Sequence, residues 1–171
     1  KRAALVVLGI LLVLIGVILV RTIAFQSNQM SVTPVTDIAI DNALAAQHLS
    51  AAIQYETISF GVPSPISKDE FEAFHAYLEY TYPKTHAALK REKVGGFSLL
   101  YTWPGSDAAA RPIMLMAHQD VVPIAPGTER DWQADPFAGE IRDGFVWGRG
   151  AWDDKANLFA IFEAIETLAA A

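Results

Sequence analysis

Two short stretches hold the residues able to do chemistry. His118-Gln119-Asp120 follows directly on an apolar run, Ile113-Met114-Leu115-Met116-Ala117. On an extended chain, residues two apart project to the same side, so His118 and Asp120 can converge on one site. A histidine that ligates a metal commonly gives its other ring N–H to a carboxylate, which fixes its tautomer and orientation, and Asp120 suits that part. The same triplet also suits a hydrogen-bonded core histidine beside a loop acid. The second stretch is Trp147-Gly148-Arg149-Gly150-Ala151-Trp152-Asp153-Asp154-Lys155. Its glycines allow a sharp turn and close backbone approach. Asp153 reads either as a partner of the following helix or as a carboxylate bridging two metal ions about 3.5–4 Å apart. Asp154 reads as the cap of that helix. From His118 to Asp154 there are eight acids and three bases, a surround suited to divalent cations that a plain solvated surface would match.

The elements that must hold these residues alternate between helix and strand. The 113–117 run reads as a strand buried on both faces. That places His118 at the carboxyl end of a strand, where α/β sheets gather their ligands. After Gly95-Gly96, residues 97–103 read as a strand and 104–111 as a loop, and Asp143-Gly144 between Ile141 and Val146 predicts a hairpin turn. Residues 37–56 read as a helix capped by Asp37 or Asp41, ended by Gly61-Val62-Pro63-Ser64-Pro65. Ser67 and Glu70 form a capping-box pattern, with Ile66 placed to staple against Phe71. Phe71, Phe74, Leu78 and Tyr82 then repeat at helical spacing until Pro83. From Lys155 a last helix carries a stripe of Leu158, Ile161, Phe162, Ile165 and Leu168, and it runs toward Ala171 without a C-cap signal. The fold class is α/β. Among the other histidines, His75 has Glu72 and Glu79 at pairing distance on one helix face, while His48 and His86 show no partner pattern. Trp103, Trp132 and Trp147 read as core or rim aromatics, and Trp152, beside Asp153, is the candidate to line a substrate cleft.

Charge is distributed unevenly along the 171 residues, whose net charge is −6. Residues 3–20 are all apolar or Gly and would span roughly 27 Å as a helix, close to the hydrocarbon thickness of a bilayer. Lys1 and Arg2 precede this run, Arg21 follows it, and all 19 acids come later. A buried core helix would not be apolar on every face, and a cleaved signal peptide would have a shorter apolar region and a small-residue cleavage site. An uncleaved signal anchor at 1–26 fits best, with the N-terminus cytoplasmic and the rest extracytoplasmic, a membrane protein crossing once. A polar stalk at 27–36 and a catalytic part at 37–171 follow. The acidic balance argues against a nucleic-acid partner, and zero cysteine excludes a disulfide scaffold or Cys-ligated zinc.

Taken in order, the runs Met116-Ala117-His118-Gln119-Asp120-Val121-Val122-Pro123, Trp132 with Asp135-Pro136-Phe137, and Asp143-Gly144 with Trp147 to Lys155 resemble the zinc exopeptidases of peptidase family M20. That family includes carboxypeptidase S, aminoacylase and acetylornithine deacylase, and the membrane-anchored carboxypeptidase S-like branch is the most similar. The resemblance covers roughly 37–171. It implies the N-terminal part of a zinc-exopeptidase catalytic domain, with a central mixed sheet flanked by helices. It further implies His118 as a zinc ligand, Asp120 as the catalytic acid that orients it, and Asp153 as the carboxylate bridging two zinc ions. The reaction implied is hydrolysis of an amide next to a free carboxylate, in a peptide or an N-acyl amino acid. The family's Glu-Glu pair, later carboxylate ligand, C-terminal histidine ligand and dimer-forming smaller domain have no counterpart here. The 171 residues are therefore expected to be the first part of a longer enzyme, inactive alone and weak in zinc binding, with a homodimer formed through the smaller domain. A non-catalytic anchored scaffold keeping the peptidase fold is the alternative from another class, and a different metallohydrolase sharing only H-x-D is a third.

Overall fold

A computed structural model describes residues 1–27, 39–61 and 66–170. The stalk beyond Ser27, Asp37 as a cap, and most of the 61–65 break lie outside the described residues. The chain divides into two units, Lys1–Ile38 and Ala39–Ala171. In the first, α1 (Arg2–Ile23) buries none of its side chains. It is long and apolar enough to cross a membrane, and a signal sequence near an N-terminus meets the same test.

The second unit begins with α2 (Asn42–Ile53), capped by Asp41, whose Oδ1 accepts from the Ala43 and Leu44 amides at 3.0 Å each. In α3 (Lys68–Thr81), Ser67 occupies the N-cap position without a side-chain cap bond. The expected capping box is not formed, because the Glu70 carboxylate instead accepts from the Glu56 amide at 3.0 Å. Pro83 ends α3 and opens α4 (Pro83–Ala88), where its fixed φ and missing N–H cost nothing at the first helical position. The orphan donors of α4 are satisfied by Glu166, which accepts from Lys84 N, Thr85 N and Thr85 Oγ1 at 3.0, 2.8 and 2.8 Å.

The strands form two separate antiparallel pairs. β1 (Lys90–Val94) pairs with β2 (Ser98–Thr102), and β3 (Glu140–Arg142) with β4 (Phe145–Trp147). β2 and the β3–β4 hairpin match the sequence reading, and Asp143 and Gly144, at φ 55° and 80°, supply the two left-handed positions of a type I′ turn. β1, mostly charged, has no alternating pattern to announce it. The buried strand expected at 113–117 is not formed. Ile113, Met114, Leu115 and Met116 are 60–86% exposed, and the segment has no ladder partner among the described residues. Apolar character makes a strand only when neighbours supply hydrogen bonds. One parallel bridge follows it, Ile58 to Val121.

α5 (Lys155–Leu168) packs on α2 and α4. The core joins Ala52, Phe74, Leu78, Tyr82, Phe159 and Phe162, with Tyr82 stacked on Phe162 at 5.0 Å. Burying a phenylalanine contributes about 1.5–3 kcal/mol, so this cluster holds the helices together. Of the stripe expected on α5, Phe162 is buried and Leu158 packs on the core, Ile161 and Ile165 are partly buried and Leu168 is half exposed, while the buried face is centred on Lys155, Phe159 and Phe162. The shift arises because the aromatic side chains of α3 and α4 meet α5 on that side.

Candidate functional site

The segment carrying His118 is irregular, yet it is fastened at nearly every residue. Asn157 Nδ2 of α5 donates to the Met116 carbonyl at 3.1 Å. The His118 amide donates to Asp154 Oδ2 at 3.0 Å. Thr57 Oγ1 donates to the Gln119 carbonyl at 2.6 Å. The Val121 amide donates to Thr57 O, and the Val121 carbonyl accepts from the Ser59 amide, each at 2.9 Å. A Cβ on Gly150, at φ 87°, would come within 2.7 Å of Val121 Cγ1, so the glycine turn can lie this close to the Val121 side chain only because position 150 lacks one. Asp154 is thus not the side-chain cap expected for α5, since it makes no cap bond there and holds the His118 backbone instead.

These fastenings bring His118, Asp120 and Asp153 together. His118 Nδ1 lies 3.0 Å from the Asp120 carbonyl oxygen and 3.2 Å from Asp120 Oδ1, and Nε2 lies 2.9 Å from Asp153 Oδ1. A carbonyl oxygen can only accept, so Nδ1 carries the proton. In neutral His118 the Nε2 lone pair would then face a carboxylate lone pair at 2.9 Å. A proton on Nε2, which makes the ring cationic, turns the contact into a charge-assisted hydrogen bond. Partial burial pulls the His118 pKa down, but the Asp153 hydrogen bond, the Asp120 backbone bond and the two carboxylate charges outweigh it, and the net shift is upward. Imidazole and carboxylate are groups that ligate zinc, but two ligands about 2.0–2.1 Å from a tetrahedral zinc stand about 3.3 Å apart, and the 2.9 Å here is the length of a direct hydrogen bond. The two side chains do not close a site. Among the described residues no group of three or more His, Cys, Asp or Glu could hold an ion.

The side chains of His118 and Asp153 are open to solvent, 50% and 82% exposed. Trp152 is 89% exposed and lines two concavities. One, of about 400 Å3, also includes Asp153, Asp154 and Asn157. The other, of about 650 Å3, has an aromatic wall of Trp132, Phe145 and Trp147. The peptide joining Asp153 and Asp154 is cis. Arg149 lies over the Trp132 ring at 5.0 Å and its amide donates to the Pro136 carbonyl at 2.6 Å, which ties the Trp132 loop to the glycine turn.

Several residues important to this geometry carried no such reading in the sequence. Lys155 is fully buried and its ammonium donates to the Ala52 and Tyr55 carbonyls at 2.9 and 2.7 Å, closing the C-terminal end of α2. Burial lowers its pKa to about 7, against a small opposing effect of Glu70. His75 is not a surface partner of Glu72 and Glu79. It is 3% exposed, with Nε2 2.7 Å from Gln119 Oε1. His48 and His86, without a partner pattern in sequence, bond to Glu163 and to Tyr82 O and Tyr101 respectively. Both buried positions had a signal: His75 sits on the stripe of Phe71, Leu78 and Tyr82, and Lys155 on that of Phe159 and Phe162.

Residues 114–171 match Peptidase family M20/M25/M40. The chain is 38% identical over 169 residues to the probable carboxypeptidase S-like 2 of Dictyostelium discoideum, covering 94% of this chain and 31% of that protein. It is 44% identical over 129 residues to carboxypeptidase S of Saccharomyces cerevisiae, covering 71% and 22% respectively. It is 41% identical over 122 residues to the N-fatty-acyl-amino acid synthase/hydrolase of Bos taurus, covering 70% and 24%. The chain therefore spans about a third or less of the length of these curated relatives.

Proposed function

Since the chain belongs to peptidase family M20 and is carboxypeptidase S-like in sequence, we propose that the whole protein hydrolyses an amide bond next to a free carboxylate. Its substrates are peptides or N-acyl amino acids, the two classes that the names of its relatives indicate. The observation that carries this reading is the convergence of the His118 imidazole and the Asp153 carboxylate, with Nε2 2.9 Å from Oδ1, which brings two groups of zinc-ligating chemistry to one place. In this reading His118 and Asp153 would be the residues that hold zinc, with further ligands needed to complete the site. Zinc there supplies Lewis-acid activation of water and of the amide carbonyl. The protein's own part is positional. Asp120 holds the Nδ1 proton so that the Nε2 lone pair faces outward, Asp154 fixes the His118 backbone, and Trp152 lines the cleft where substrate lies against Asp153.

In the same reading, residues 1–26 are an uncleaved signal anchor, 27–36 a stalk and 37–171 part of the catalytic domain. Lys1 and Arg2 before the apolar run, against Arg21 after it, support a cytoplasmic N-terminus and an extracytoplasmic catalytic part. The test is the zinc content of the whole protein, measured together with turnover on a panel of peptides and N-acyl amino acids. At least one zinc per chain with turnover supports the proposal. Less than one zinc and no turnover overturns it in favour of a non-catalytic scaffold.

A further inference from the structure

We propose that Gln119 and His75 are positioning residues, the side chain between His118 and Asp120 being bolted into the core by a buried histidine so that the two acting residues face the site. This rests on the zinc-hydrolase reading above and extends it to residues that touch neither metal nor substrate.

His118 and Asp120 turn to one side of the segment and Gln119 to the other. The Gln119 amide NH2 donates to the Phe97 carbonyl, which can only accept, and this fixes the orientation of the amide. Gln119 Oε1 then faces His75 Nε2 at 2.7 Å, so Nε2 must carry the His75 proton. His75 Nδ1 is buried and has no hydrogen-bond partner among the described residues, so the ring is held as one neutral tautomer. Phe97 also packs on Phe71 and on His75, with centroids 5.3 and 6.5 Å apart, and walls the pair off. On the backbone side, Thr57 Oγ1 holds the Gln119 carbonyl.

The reason such an anchor matters is that the segment is not held in a sheet at this point. In a strand, the ladder sets the register, and a slip of one residue sends every side chain to the opposite face. Here a single parallel bridge, Ile58 to Val121, lies two residues on, and the bonds of Gln119 to α3 and to the 97 carbonyl supply the fixing that a full ladder would give at 118–120. A slip would bury His118 and expose Gln119, and the approach to Asp153 would be lost.

The experiment uses the whole protein and two readouts, zinc affinity by competition with a chromophoric chelator, and kcat and KM on a substrate found in the panel above. His75→Phe keeps a ring without the donor, and Gln119→Leu removes the amide. Each is expected to weaken zinc binding about tenfold, the lower end of what supporting residues around metal ligands cost, and to lower kcat with little change in KM. His75→Gln, which restores an N–H donor, is expected to recover most of the loss. If His75→Phe does not fold, Gln119→Leu carries the measurement. Folded variants with unchanged zinc affinity, alongside a His118→Ala protein that loses zinc, overturn the anchor alone. Unchanged zinc affinity in His118→Ala itself overturns the functional reading on which it stands.

Discussion

His118 and His75 lie on opposite sides of Gln119, and their surroundings set them to opposite tasks. His118 is half exposed between two carboxylates, and the net effect on its pKa is upward. His75 is buried against an amide and aromatic rings, and its pKa is lowered, first by burial and further by Lys93 and Arg91, against the Gln119 bond and Glu72. One ring is set between two acids that favour its cationic form, and the other is set to stay neutral and donate a single hydrogen bond. What separates them is the partner that each backbone fold delivers, since nothing in the residue type differs.

Removing a residue on each side breaks this contrast most directly. His118→Ala or Asp153→Ala is expected to lower kcat/KM by more than the roughly 100-fold that supporting residues around a metal typically account for. Thermal stability should stay within about 0.5 kcal/mol of the parent, because both side chains are exposed. Steady-state kinetics and melting curves on the whole protein measure the two effects. A large loss of stability in either variant would place these residues in the structural class instead. On the buried side the expectation reverses. Lys155→Ala deletes a buried stem and leaves the Ala52 and Tyr55 carbonyls without their donor, for a loss of about 3 kcal/mol by denaturant unfolding.

The parts of this arrangement that could be read from the chain were those written locally. α3, α5 and the β3–β4 hairpin follow from apolar spacing and from Asp143-Gly144. His118, Asp120 and Asp153 were legible as chemistry, and the structure brings them together. The parts not read depend on partners distant in sequence. Glu70 matches a capping box with Ser67 but is taken by the Glu56 amide. His75 reads as a surface residue beside Glu72 until Gln119, 44 positions on, is placed against it. Lys155, with a charge at its tip, gives no local sign that two carbonyls about a hundred residues earlier will receive it. The 113–117 run failed for the converse reason, having the composition of a buried strand and no partner among the described residues.

A change of pH sharpens the same contrast without altering a residue. The folded pKa of His75 lies below the ordinary 6.5, so as pH falls past about 6.5 the unfolded chain takes up a proton that the folded protein excludes. Stability contributed by neutral His75 is present above that pH and is lost as pH falls through the folded pKa. In His75→Phe this component disappears. The melting temperature of the variant, though lower at pH 8, is expected to fall less between pH 7 and pH 5 than that of the parent. Parallel melting curves over that window would show that His75 does not titrate with folding.

The smallest effect tests the acid that the chain diverts from capping. Asp154 Oδ2 accepts from the His118 amide at 3.0 Å, and no side-chain cap bond ties it to α5. Asp154→Asn keeps an oxygen in place and loses only the charge that strengthens the bond, roughly a factor of two in hydrogen-bond strength. The expected cost is within about 1 kcal/mol by thermal melting. Asp154→Ala removes the acceptor and frees the His118 backbone, so it should weaken zinc binding more than Asp154→Asn does. A helix cap would instead make both variants equal in zinc affinity and different only in stability. The ordering of the two zinc affinities therefore decides whether the second aspartate serves the helix or the histidine.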